Sequence, residues 1–274
     1  MGKRILSGFL VVGIVAFMIV FHFIFAYSLN LILSIIAAIA VYELVGAVGL
    51  RKHLTFLLPS MAFALAVPLI PDQSYWLVAV CFLYTLFILC SIIGHYKRIS
   101  FQNMCVVYGM TLLVVLALNT VSLMRYLNPQ HCMLYVVMAL FSAWIADAAA
   151  YFVGSFLGKH KLCPNISPKK TVEGAVGGFV INIGLIMLMG YLYNLVFFGG
   201  VLSVSYLSLG IIGGVTAILS VIGDLSFSII KRSYDVKDFG NLIPGHGGMM
   251  DRFDSVVLVG PFLYLFVQLM PVIL

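Results

Sequence analysis

Charge is scarce in this chain of 274 residues: Asp, Glu, Lys and Arg make up 9% of it. Soluble domains carry about 25% charged residues, so a water-soluble globule with a polar skin is excluded. Apolar residues reach 63% and the mean hydropathy is +1.16, so lipid must cover most of the surface. Cysteine is sparse as well. Cys81, Cys90, Cys105, Cys132 and Cys163 are odd in number, scattered, mostly inside apolar segments, and form no CxxC pair. That pattern excludes a disulfide framework and a cysteine-held zinc site. No small-x-small cleavage site precedes a polar mature start, and the first apolar stretch is too long for a signal-peptide core. It is therefore expected to remain as a span. No soluble module and no internal repeat is visible.

What is present is a series of long apolar runs, and a spanning helix needs about 20 such residues. From Ile5 to Leu50 the only formal charge is Glu43, and that length suits two helices turning near Ser28-Leu29-Asn30. Further spans are expected at Thr55–Ile70, Tyr75–Ile93, Met104–Leu123, Met133–Phe156, Ala175–Phe198, Ser205–Ile230 and Phe253–Leu274. The total is about nine transmembrane helices, which predicts an all-α polytopic bundle with a polar site at its cytoplasmic side. Thr55–Ile70 is short and holds Pro59 and Pro68, so a broken or re-entrant helix is expected there. Residues 1–274 read as a single membrane domain. Within it, 1–130 holds amino-terminal spans of no assigned role and 131–274 carries the polar blocks.

The few basic residues are informative by position. They cluster at Lys3-Arg4, Arg51-Lys52, Lys97-Arg98, Lys159 to Lys170, Lys231 to Lys237, and Arg252. With nine spans all of these fall on one side, and only Arg125 falls on the other. Such a bias marks the cytoplasmic face. It predicts an inner (plasma) membrane protein with its amino terminus and both polar loops, 158–174 and 231–252, in the cytoplasm. The net charge of +6 sits in short loops between spans, so nucleic acid is not an expected partner.

Two acids stand inside spans, Asp147 and Asp224, each toward the same end of its run. A carboxylate at membrane depth costs about 2.5–3.5 kcal/mol on insertion scales and needs a partner or a task. Asp224, Ser228 and Lys231 recur at i, i+4 and i+7, which sets them on one helix face, with Arg232 adjacent. Lys237-Asp238, a glycine-rich turn with His246-Gly247-Gly248, and Asp251-Arg252-Phe253-Asp254 follow. Asp251 and Asp254 share a face at the start of the last span. Glycines allow backbone N–H groups to approach an anion. Carboxylates from separate helices, with a single nearby His and no Cys, suit a hard cation such as Mg²⁺. Asp224, Asp251 and Asp254 are the expected metal ligands, with Asp147 as a further contributor. Taken singly, Lys231, Arg232 and Arg252 also fit simple interfacial anchors. Asp251 and Asp254 also fit acids favoured by a helix N-terminus. Glu43 is expected to pair within the bundle or line a polar gap.

Upstream, Asp147, Tyr151, Gly154 and Gly158 form a stripe of one acid, one hydroxyl and two small residues. Small residues at that spacing let helices approach closely and permit a dimer. Ser167-Pro168-Lys169-Lys170-Thr171, followed by Glu173, is a basic loop with hydroxyls able to hold phosphates by charge-assisted hydrogen bonds.

The full pattern resembles a known family. Ser228-x-x-Lys231-Arg232, then Lys237-Asp238-x-Gly240-x-x-Ile243-Pro244-x-His246-Gly247-Gly248-x-x-Asp251-Arg252-x-Asp254, is similar to the signature of the phosphatidate cytidylyltransferases. A second block is similar too: Asp147-x-x-Ala150-Tyr151-x-x-Gly154, Gly158-Lys159-His160-Lys161 and Ile166-Ser167-Pro168-Lys169-Lys170-Thr171-x-Glu173-Gly174. One departure is Ala148-Ala149, where family members often carry a Ser and a bulkier residue. The resemblance covers roughly the carboxyl-terminal half.

It implies that CTP and phosphatidate, both bound at the membrane, react to give CDP-diacylglycerol and pyrophosphate. Two anions must then meet, and unit charges 4 Å apart repel by about 4 kcal/mol at an effective dielectric of 20. Counter-charge is the main requirement, met by Mg²⁺, with room for a second cation. The catalytic set is expected to be Asp224, Lys231, Asp251, Asp254 and His246, the last orienting or protonating the departing pyrophosphate. Asp147, Ser167, Lys169, Lys170, Thr171, Glu173, Ser228, Arg232, Lys237, Asp238, Gly247, Gly248 and Arg252 are expected to bind substrate. The lipid phosphate is already ionised near neutral pH, with a second pKa around 6–7 by analogy with phosphorylated side chains, so no strong general base is required. Transfer to another lipid phosphate or to a polyprenol uses the same polar machinery. A cation-coupled transporter with ions on Asp147 and Asp224 is the reading from a different class. Repeated halves and discontinuous helices mark such proteins.

Overall fold

The computed structural model describes residues 13, 21, 25, 27–71, 75–128, 130–242 and 247–273. Seven helices in it are long and apolar enough to cross a membrane, which makes this a multi-pass membrane protein. We number the helices in chain order: α1 (Ser28–Ala47), α2 (Leu54–Ala66), α3 (Tyr75–His95), α4 (Phe101–Leu127), α5 (Cys132–Leu157), α6 (Val172–Phe198), α7 (Tyr206–Ser233), α8 (Met250–Phe253) and α9 (Val256–Leu269). The expected first span, from Ile5, lies almost entirely outside the described residues. So does His246.

The segment expected to be broken is so. α2 is only 13 residues long with Pro59 inside it, and it passes into a 3₁₀ turn at Val67–Leu69, where Pro68 sits. Proline removes a backbone donor and crowds the preceding turn, which explains the change of helix type. Asn30 on α1 ties this region down by donating to the Pro68 carbonyl at 2.7 Å. The last span is also interrupted. α8 and α9 together cover Met250–Leu269, with a turn at Asp254-Ser255 between them.

The loop before α6 is more ordered than its sequence suggests. β1 (Lys161–Cys163) and β2 (Ser167–Thr171) pair antiparallel, with Lys161 opposite Thr171. Lysine-rich segments with a proline make poor strands by propensity, and the hairpin is pinned by its neighbours instead. Thr171 caps α6 by accepting from the Gly174 amide at 3.1 Å. Glu173 accepts from the Lys159 and His160 amides at 3.1 and 3.2 Å and pairs with the His160 ring. As expected of the small residues, a methyl group at Gly154 on α5 would lie 2.6 Å from Thr171 Oγ1 and 3.5 Å from the Gly174 Cα. Tyr151 does not share this contact, being 66% exposed.

Large apolar side chains are exposed along whole faces, for example Trp76, Val78, Phe82 and Phe87 on α3. In water such faces would be costly, and hydrocarbon removes that cost. The chain forms two compact units. One comprises residues 1–123 with 233–253, and the other 124–232 with 254–274. The polar loop after α7 is therefore counted with the amino-terminal spans, not with the helix that precedes it.

Candidate active site

In the second unit, three acids and two lysines collect where α5, β2, α7 and the turn before α9 come together. α7 is the spine. Its spacing places Asp224, Ser228 and Lys231 on one face, as the sequence implies, and the Ser228 hydroxyl donates to Asp224 Oδ1 at 3.4 Å. Gly223 explains how a second acid arrives. A side chain there would meet the Asp254 carbonyl at 2.9 Å and the Ser255 Cα at 3.0 Å. Only a glycine lets the turn press against α7 this closely, and that contact brings Asp254 into electrostatic range of Asp224, Lys231 and Asp147.

The charges are interleaved. Lys170 from β2 lies 2.7 Å from Asp224 Oδ2. The pair is electrostatic, since Lys170 Nζ lacks a directed hydrogen bond among the described residues. Lys231 approaches Asp254 Oδ2 at 3.9 Å, with both side chains 8% exposed. At that separation the attraction does not repay the full cost of removing both charges from water. Asp147 from α5 is anchored by the Ser255 hydroxyl, which donates to its Oδ2 at 2.9 Å. The same hydroxyl has longer contacts to the Ser220 carbonyl at 3.3 Å and Asp254 Oδ1 at 3.4 Å. Having a single proton, it serves Asp147 first. The Ser255 amide donates to Asp254 Oδ1 at 2.8 Å.

Three carboxylates thus face two ammonium groups, a formal excess of one negative charge (two minus three). The donors are hard oxygens, which fits a divalent cation such as Mg²⁺ and not a soft metal. In the arrangement described, a lysine is the near partner of Asp224 and of Asp254. Accordingly, no three Asp, Glu, His or Cys side chains are drawn together closely enough for one ion among the described residues.

Asp251 has different surroundings. It belongs to the first unit, is 7% exposed, and its Oδ2 accepts from the Phe239 and Gly248 amides at 2.9 and 3.0 Å. Gly247 adopts φ +83°, a conformation side chains rarely take, 3.1 Å from Asp251 Oδ2 at its would-be Cβ. The sequence grouped Asp251 with Asp224 and Asp254 as metal ligands. The structure shows backbone amides among its partners. Lys237, Asp238, Gly247, Gly248 and Arg252 belong to this first unit as well. Tyr234 follows α7 and donates to Asn103 Oδ1 at 3.2 Å. Burial raises its phenol above the ordinary value and keeps it a neutral donor.

Of the remaining expected residues, Lys169 and Arg232 are exposed beside the cluster's own unit, and Ser167 begins β2. Thr171 and Glu173 hold the hairpin and helix start described above. Sequence reasoning passed over Ser220 and Ser255. Ser220 lies four residues before Asp224 and so shares its helix face, a signal available from spacing alone. Ser255 had no such signal, since its role depends on the turn between α8 and α9.

Known proteins of one name resemble the chain. The chain is 33% identical over 281 residues to the phosphatidate cytidylyltransferase of Bacillus subtilis (strain 168), covering 98% of each. It is 43% identical over 132 residues to that of Staphylococcus aureus (strain COL), covering 47% of each. Over 134 residues it is 41% identical to the Staphylococcus saprophyticus protein of the same name, again covering 47% of each. The cytidylyltransferase family matches residues 2–270. The chain belongs to the cytidylyltransferase family.

Proposed function

We infer that this protein transfers the cytidylyl group of CTP to phosphatidate, forming CDP-diacylglycerol and pyrophosphate. The observation that carries the reading is the part-buried cluster Asp147, Lys170, Asp224, Lys231 and Asp254, within a chain related to phosphatidate cytidylyltransferases over nearly its whole length. A phosphate oxygen of the lipid forms a bond to the α-phosphorus of CTP. The bond from that phosphorus to the bridging oxygen breaks, and pyrophosphate leaves with the electron pair. The reaction brings anions together, so the side chains that matter are those that hold and neutralise phosphates.

Lys170 and Lys231 supply ammonium groups for the nucleotide phosphates. They are already held close to carboxylates, so their order costs little on binding. Asp224 and Asp254, with Asp147, would hold Mg²⁺ only once Lys170 and Lys231 turn from them to the phosphates, and the ion when bound supplies charge stabilisation for the transferring and leaving phosphates. Ser228 and Ser255 orient Asp224 and Asp147. Lys169 and Arg232, in the same unit, add positive charge for the triphosphate. By the distribution of Lys and Arg, the cluster faces the cytoplasm of a plasma-membrane protein. CTP then arrives from water while the acyl chains stay in lipid.

The test is direct. Purified protein in detergent is given labelled CTP, Mg²⁺ and phosphatidate, and CDP-diacylglycerol and pyrophosphate are measured. Equal formation of both is expected. Label transferred to a polyprenol phosphate in preference to phosphatidate would replace the lipid acceptor. No nucleotide chemistry, with ion flux in liposomes, would sink the reading.

A further inference from the structure

A second buried acid in the first unit is not used by the chemistry above. Glu43 stands on α1 and is 4% exposed. Its Oε2 accepts a hydrogen bond from the Met250 amide at 2.9 Å, across 207 residues of chain. Two glycines from the same polar loop, Gly240 and Gly248, pack against this group. At each, the three atoms nearest to an added Cβ would all belong to the Glu43 side chain. Neither glycine has a positive φ, unlike Gly247. A side chain at 240 or 248 is thus compatible with the backbone, and Glu43 is what leaves no room for one.

The remaining oxygen, Oε1, has no hydrogen-bond partner among the described residues. A buried carboxylate with an unmet oxygen is costly, so an amide or an apolar residue here would fold at lower cost. Retaining the acid implies a task. Its contacts define it: the first described helix grips the loop at both ends, Gly240 on one side and Gly248 to Met250 on the other. Asp251 ties the same two stretches through the Phe239 and Gly248 amides.

We propose that Glu43 is a positioning residue for cytidylyl transfer, holding residues 239–240 and 247–251, and with them the expected phosphate binders Gly247 and Gly248, in one shape. The proposal rests on the reaction assigned above. It gives the amino-terminal spans a role that the sequence left blank.

The test uses the full chain and reads two quantities. Wild type, Glu43→Ala, Glu43→Gln, Gly240→Ala and the Glu43→Ala/Gly240→Ala double variant are purified in detergent and checked for monodispersity. Without nucleotide, hydrogen exchange in peptides spanning 239–251 is expected to quicken about tenfold or more in Glu43→Ala, the loss of a hydrogen bond to a charged group. With substrates, kcat is expected to fall by a similar factor of about 10–100, while KM for phosphatidate stays within about threefold of wild type. Glu43→Gln keeps an accepting oxygen and is expected to recover most of kcat. Gly240→Ala is expected to lower kcat in the wild-type background but to add nothing to Glu43→Ala, because the atoms it would meet are gone.

Unchanged exchange in a folded Glu43→Ala protein overturns the proposal, even if activity falls. So does a full additive cost of Gly240→Ala in the double variant. If Glu43→Ala does not fold, exchange and kcat in Gly240→Ala decide the matter by the same criteria. A wild-type protein inactive toward CTP and phosphatidate would refute the reaction assignment alone, since the exchange experiment still judges Glu43.

Discussion

The two units use the same residue type in opposite ways. In the second, Asp147, Asp224 and Asp254 face lysines and hydroxyls, with Lys170 at 2.7 Å from Asp224 and Lys231 at 3.9 Å from Asp254, and Asp254 also accepts from the amide of its neighbour Ser255 at 2.8 Å. In the first, Glu43 and Asp251 face backbone amides, from Met250 at 2.9 Å and from Phe239 and Gly248 at 2.9 and 3.0 Å. A carboxylate among mobile cations can exchange partners when a phosphate or metal arrives. A carboxylate held by main-chain N–H groups is bound to the shape of the chain itself and can give up that bond only by unfolding the loop. The first arrangement handles charge, the second fixes geometry. Asp251 and Asp254, three residues apart, differ in that a lysine faces Asp254 while amides of Phe239 and Gly248 hold Asp251.

Mutations at these two acids are the sharpest way to break the comparison. Asp254→Asn should lower CDP-diacylglycerol formation by about 10²–10³-fold, the range for removing one preorganised electrostatic contact. Asp224→Asn should behave alike, and extra Mg²⁺ should restore part of either loss if these acids hold the ion. Asp251→Asn should be milder, about tenfold, because an amide oxygen in the place of Oδ2 still accepts both backbone N–H groups and only the charge is lost. Steady-state assays at varied Mg²⁺ give the ranking. Equal losses with equal Mg²⁺ rescue would return Asp251 to the metal set and erase the distinction between the units.

A smaller effect tests the hairpin that supports Lys170. Thr171→Ala removes the cap of α6 and should cost about 1 kcal/mol of stability, seen as a drop of a few degrees in the thermal midpoint. Activity per folded molecule should change little. A loss of turnover as large as that of Asp254→Asn would mean that Thr171 touches substrate, as the sequence allows, and does more than start the helix.

Much of the architecture was readable because hydrocarbon imposes a simple rule. Apolar runs near 20 residues become helices, since every backbone group must be satisfied within the segment. The runs expected at Tyr75–Ile93 and Ala175–Phe198 correspond closely to α3 and α6. The prolines in Thr55–Ile70 marked a break that the 3₁₀ turn realises. The Asp224, Ser228 and Lys231 face followed from helix period alone. The hairpin at 161–171 was not readable, because its strands are held by Glu173 and Thr171 from outside and not by propensity. The partners of Glu43 were also hidden, lying 207 residues away at Met250.

By itself the sequence determined that the chain crosses a membrane repeatedly, which polar residues are candidates for its chemistry, and which family it resembles. These depend on composition, period and spacing, all local properties of the chain. Only the tertiary structure decided which acid meets which partner: Asp254 beside Asp224 because Gly223 admits the turn, Asp251 on the amides of its own loop, Glu43 against Gly240 and Gly248. A side chain's electrostatic role is set by the groups within a few ångströms of it. In a helical bundle those groups come from distant segments that no local pattern names.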